Sequence, residues 1–315
     1  MSWVAVNCPQ CSAPLPRIAI WRSVKCPSCG ALITRTESLV MRETFRQALL
    51  RARSGSGMAG GDIQCGGDSY QLGQLLGRGE TSQVYLARRV GILPFVATIK
   101  LSSASDAPAR YAREAQVLRE LQALQSDGAG AYFSQLLPEA VAVGAVEGSN
   151  HAKCGLVLRY PNGFWGSLAA LNERYAQGLD PRHTVWIWRR MLEVLNFIHA
   201  QGWSHGDIRP EHVLVHPQNH GARIIGWSSA QRGTGAKGQV ADLLRSARVV
   251  LVLLSGAGGS SSIPSHVPAG LAQLVTRAGQ DEDFCRGQGA QGLDALLRAE
   301  ARAAFGPPAF VSLEI

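Results

Sequence analysis

The chain has 315 residues, is 46% hydrophobic and carries a formal net charge of +8, enough apolar material for one large domain with an appendage or for two domains. The charge comes from scattered arginines, with lysine only at Lys25, Lys100, Lys153 and Lys237, so it forms no basic stripe of the kind that tracks a nucleic acid. The longest apolar run, Val249 to Leu254, is far too short to span a bilayer, and the first residues have neither the basic nor the apolar region of a secretory signal; a cytoplasmic chain with no membrane span is expected.

The first elements are two knuckles of the same spacing, Cys8-Pro-Gln-Cys11 and Cys26-Pro-Ser-Cys29, flanking a strand-like segment from Arg17 to Trp21. Four thiolates so spaced suit one tetrahedral structural zinc, and so small a piece has too little core to fold without it. Residues 1–35 therefore read as a zinc ribbon. Cys65, Cys154 and Cys285 stand apart and read as small buried or loop residues. Residues 36–69 read as a connecting helix, with Leu39, Val40, Phe45, Leu49 and Leu50 apolar, followed by a glycine- and serine-rich flexible linker ending near Ser69.

From Tyr70 to the end a single larger domain is expected. Two strands flank a turn containing Gly77 and Gly79, whose small size lets backbone N–H groups approach phosphate oxygens, and Val84 and Leu86 alternate along the second strand. The β-branched strand Phe95 to Lys100 ends in one of the few lysines, a compact point charge. A helix follows, with Ala112, Ala115, Leu118 and Leu121 available for packing and Glu114, or alternatively Glu120, available to pair with Lys100. Two more strands, Ala140 to Gly148 and Cys154 to Gly163, lead to a short helix. A long apolar-periodic helix from Thr184 then stops at Gly202 and delivers His205 and Asp207 to a loop.

Gly77-Arg-Gly79-Glu-Thr-Ser82-Gln-Val84, Lys100, and His205-Gly-Asp-Ile-Arg-Pro-Glu-His-Val-Leu-Val215, in this order and spacing, resemble the Hanks-type Ser/Thr protein kinases over about residues 70 to 305. The resemblance implies an α+β, two-lobed fold with a small β-rich lobe and a helical lobe. It implies ATP held by Gly77, Gly79, Val84, Lys100 and Glu114, with Leu158 and Tyr160 bordering the adenine. It places Asp207 as the base that accepts the substrate hydroxyl proton, Arg209 beside the γ-phosphate, and Asp242 as a brace for the loop backbone.

The departures fall at the metal. His212 replaces the asparagine that ligates magnesium, and Gly226-Trp227-Ser228 stands where Asp-Phe-Gly would supply the second ligand. Glycine offers no oxygen and an imidazole suits softer metals, which argues against magnesium. Gly206 replaces an arginine tied to loop control, and the segment Gly226 to Ala241 is short and lacks Ala-Pro-Glu. The reading is a bacterial-type pseudokinase that acts through protein partners in a signalling module. One alternative is an active atypical Ser/Thr kinase using Asp207, with a metal held by phosphates, His212 and water. Another is a nucleic-acid-associated regulator led by the zinc ribbon.

Overall fold

The computed structural model describes residues 24–25, 32–33, 61–91, 94–124, 133, 136–149, 152–161, 163–256 and 263–315. The four knuckle cysteines and the helix expected over 37–53 lie outside them. Near the N-terminus, β1 (Val24–Lys25) pairs antiparallel with β2 (Leu32–Ile33). The remaining described residues form two compact units, 61–161 and 163–315.

The first unit is a closed barrel of β3 (Asp62–Cys65), β4 (Asp68–Arg78), β5 (Gln83–Val90), β6 (Val96–Ser102), β7 (Ala140–Glu147) and β8 (Cys154–Arg159), in the order β3-β4-β5-β6-β8-β7. Period-2 alternation puts Ile63, Cys65, Tyr70, Ala87, Ala97, Ile99, Leu101 and Val157 into one buried cluster. β3 falls within the stretch expected to be linker. Gly66 and Gly67 form the tight turn of a hairpin, and the two buried side chains before them, Ile63 and Cys65, give the strand a core to join. α1 (Ala107–Ala123) packs on β7 and β8. Its buried face runs through Tyr111, Glu114, Ala115, Leu118 and Leu121; Ala112, expected to pack, is exposed because it sits about 100° round the helix from Tyr111.

The second unit is built on α3 (Pro181–Ala200), α4 (Gly235–Ser255), α5 (Ala269–Gln280) and α6 (Glu282–Phe305), the last broken by a kink at Gly289, whose φ of +60° is not helical. A short α2 (Leu168–Arg174) precedes them, capped by the Ser167 hydroxyl, which accepts from the Ala170 N–H at 3.2 Å. α3 packs on α4 and α6 through Trp188, Met191, Leu192 and Leu195, and the Trp188 indole donates to Ser246 at 3.0 Å. A small sheet, β12-β11-β9, combines β9 (Gly166–Ser167), β11 (Val213–His216) and β12 (Gly221–Ile224), while β10 (Trp203–Ser204) pairs with β13 (Gln231–Arg232). The last residues fold back onto this unit. Phe310 stacks on His220, which stacks on Trp186, and His220 Nε2 donates to the Val311 carbonyl at 2.8 Å. No helix among the described residues is long and apolar enough to cross a membrane.

Candidate functional site

Antiparallel register aligns the first group of expected residues. Gly77 lies opposite Val84, Val84 opposite Lys100, and Lys100 opposite Leu156, so the Val84, Lys100 and Leu156 side chains share the face of the barrel wall turned away from the Ala97–Ile99–Leu101 cluster. Leu158, two residues along β8, is on the same face opposite Thr98. Sequence reading missed Thr98; the signal was its position two residues before Lys100 on a strand of period two. Tyr160 follows β8, half-buried, and its N–H donates to the Val96 carbonyl at 3.2 Å.

Lys100 and Glu114 meet at 2.6 Å, with side-chain exposures of 15% and 2%. Pro108 in the first turn and an apolar stripe seat α1 on the barrel, which carries Glu114 inward at the i, i+4 spacing of that stripe. A glutamate this buried needs such a partner, since an isolated carboxylate would lose its hydration uncompensated. Glu120, the other candidate, instead accepts from Gln116 at 2.9 Å.

The Gly77–Ser82 turn is closed by a bond from the Gly79 N–H to the Ser82 carbonyl at 2.8 Å. Its tip is held from two sides: the Ser102 hydroxyl donates to the Thr81 carbonyl, and the Arg110 guanidinium to the Thr81 hydroxyl at 3.0 Å. Neither brace could be read from spacing.

In the helical unit the loop after β10 is organised by a fully buried carboxylate. Asp242 on α4 accepts from the His205 N–H at 2.7 Å, the Gly206 N–H at 2.9 Å and His199 Nε2 at 3.1 Å. Three donors compensate the loss of water around it. His205, also fully buried, accepts from the Asp207 N–H at Nδ1 and so donates from Nε2 to the Ile225 carbonyl at 3.1 Å. Burial pushes its pKa down to about 4, so the neutral ring is the one that fits. Trp227 is buried edge-on to it, with ring centroids 4.6 Å apart. Gly206 has φ of +80°, and a Cβ there would lie 2.6 Å from the Ser229 carbonyl; no side chain fits, whereas Arg245 of α4 reaches in to donate to the Gly206 carbonyl.

Asp207, Arg209, His212 and Gly226 come together at the open end of the β11–β12 hairpin. His212 Nδ1 lies 2.9 Å from the Asp207 carbonyl and 3.2 Å from its carboxylate, while its Nε2 is 3.2 Å from the Arg209 guanidinium. Arg209 Nε is 3.7 Å from the Asp207 carboxylate. Gly226, buried with φ of +79°, has its Cβ direction filled by the His212 ring. Magnesium demands hard oxygen ligands in near-octahedral array; here Asp207 faces an imidazole and a guanidinium, and Gly226 supplies no ligand side chain. These residues do not fit the ion. Among the described residues no group of three or more His, Cys, Asp and Glu is placed to hold a metal.

The family described as protein kinase domain matches residues 70–242, more than half of the chain. Among curated proteins, the chain is similar to CBL-interacting protein kinase 4 of Oryza sativa subsp. japonica, 29% identical over 148 residues, which are 46% of this chain and 30% of that protein. It is also similar to serine/threonine-protein kinase PknB of Mycolicibacterium smegmatis, 26% identical over 167 residues, 52% of this chain and 24% of the other. The matched regions thus span less than a third of either relative.

Proposed function

This chain belongs to the protein kinase domain family, and from that premise we propose that it is a bacterial-type pseudokinase that binds ATP without needing magnesium and signals through protein partners. The observation that carries the reading is Gly226, which has no ligand to offer and whose side-chain direction is filled by His212. Phosphoryl transfer depends on positioning and on cations that neutralise charge between the β- and γ-phosphates. An imidazole and an arginine are a weak substitute for two metal positions. The nucleotide contacts are assigned to Gly77, Gly79, Val84, Lys100, Glu114, Leu158 and Tyr160, supported by the ion pair of Lys100 with Glu114 and by the shared face of Val84, Thr98, Lys100 and Leu158. Cys8, Cys11, Cys26 and Cys29 are assigned a structural zinc on their spacing, with one zinc per chain expected by elemental analysis.

The test is a calorimetric titration of ATP with and without magnesium, repeated with Lys100→Ala. Binding that ignores magnesium and is lost in the variant supports the reading. Metal-dependent phosphate transfer that disappears in Asp207→Asn would overturn it. That outcome belongs to the second reading, an active atypical Ser/Thr kinase, which the intact Lys100–Glu114 pair and the presence of Asp207 and Arg209 favour.

A further inference from the structure

The two departures at the metal position, His212 and Gly226, are separated along the chain but meet in space. β11 and β12 pair from His216 opposite Gly221 to Val213 opposite Ile224, and beyond that end the Ile225 N–H donates to the His212 carbonyl at 2.8 Å. The hairpin register therefore makes residues 212 and 226 neighbours. Gly226 has φ of +79°, a left-handed conformation that aspartate and asparagine also visit, so the backbone alone does not bar a carboxylate.

The imidazole does. A Cβ at 226 would lie 2.8 Å from both Cε1 and Nδ1 of His212 and 2.9 Å from Cδ2, directly over the ring and well inside contact distance. The ring is tied at both nitrogens. Its Nδ1–H donates to the Asp207 carbonyl at 2.9 Å with the carboxylate at 3.2 Å, and Nε2 accepts from Arg209 at 3.2 Å. Swinging it aside would break these bonds, a loss comparable to that of any partly buried polar group.

We propose that His212 is a plug: its imidazole fills the volume into which a metal-binding side chain at 226 would project, and it holds Asp207 and Arg209 together without a cation. The changes at 212 and 226 are then one coupled change that cannot be reversed at a single position. This rests on the reading of the chain as a kinase-family protein with a degraded metal position. His212 is a positioning and specificity-determining residue in that reading, and it determines which ions are refused.

The experiment is a double-mutant cycle in the full chain with Gly226→Asp, His212→Asn and the double variant. Thermal midpoints are measured without nucleotide or metal, and manganese is titrated separately in the presence of ATP. Gly226→Asp should lower the midpoint beside His212 and cost less beside asparagine, a coupling of at least about 3 °C. Manganese affinity should rise roughly 10-fold or more in the double variant and in neither single one. Additive midpoints would overturn the plug, as would a folded double variant with no gain in manganese affinity, or an equal gain in Gly226→Asp alone. If Gly226→Asp does not fold, Gly226→Ala with His212→Ala carries the stability cycle, because the clash begins at Cβ. Phosphate transfer by the unaltered chain would sink the pseudokinase reading, yet the cycle, run without ligands, still decides whether the ring excludes a side chain at 226.

Discussion

In the β-rich unit Lys100 meets a buried glutamate at 2.6 Å; in the helical unit Asp207 meets an imidazole and a guanidinium. The first is a nearly buried ion pair on the barrel face that also carries Val84, Thr98 and Leu158. The second keeps its scaffold, with Asp242 gripping the loop backbone and His205 locked in its neutral form, while the residues that would face a cation have changed. The difference teaches that the bonds shaping such a loop and the ligands doing its chemistry are separable. The shape depends on backbone amides satisfied by a buried carboxylate, and the chemistry depends on two or three side chains at the rim.

The largest effect should come from attacking the retained scaffold. Asp242→Ala leaves two backbone amides and His199 without their acceptor in a buried site, and should cost about 3–5 kcal/mol in denaturant unfolding. A loss under about 1 kcal/mol would mean that water replaces the carboxylate and that the loop is not held from α4.

Acidification probes the same unit more gently. His205 and His220 are lowered from 6.5 to about 4, in both cases chiefly by burial. For His205 the charge on Asp242 opposes the shift and His212 adds to it; for His220 the bond to Val311 opposes it and His183 and Arg190 add to it. The unfolded chain binds more protons between these values, so the stability due to the neutral rings is complete above about 6.5 and is lost as the pH falls toward 4. The loss should reach up to about 3 kcal/mol for each ring, read from unfolding curves across that window. His220→Phe, which keeps a ring between Trp186 and Phe310, should remove its share of the slope; an unchanged slope would show that His220 is not the group titrating.

In the β-rich unit, Lys100→Met removes the ion pair to the buried Glu114 and should cost about 1–3 kcal/mol of stability, with ATP affinity falling by roughly 10-fold or more if the lysine receives phosphates. Stability lost with affinity unchanged would make the pair purely structural and bring the two units closer in character. The smallest effect expected is that of Arg110→Ala, which frees the Thr81 hydroxyl at the tip of the glycine turn. About 0.5 kcal/mol or less is at stake at this exposed position, and the sharper readout is faster amide exchange at Gly79 to Ser82.

Most elements of both units could be read from periodicity. β6 alternates, β8 is a continuous apolar run, and α3 and α4 carry apolar stripes, while the strand expected to end at Lys100 runs on to Ser102, whose buried hydroxyl bonds the Thr81 carbonyl. β3 was hidden because four residues beside a Gly-Gly pair resemble a linker until a neighbouring strand completes the barrel. Ala112 was misassigned because small residues mark either face of a helix equally well. The braces on Thr81 and the reach of Arg245 to Gly206 had no local signal, since each joins side chains from elements distant in the chain.

By itself the sequence determined most of the described strands and helices, and that Gly226 lacks a carboxylate, because these follow from local alternation and residue type. Only the tertiary structure decided that Glu114 rather than Glu120 meets Lys100, and that His212 fills the space beside Gly226. The physical reason is the same for both. Helix phase selects one glutamate and hairpin register brings the imidazole against the glycine, and each is fixed only when the whole unit packs.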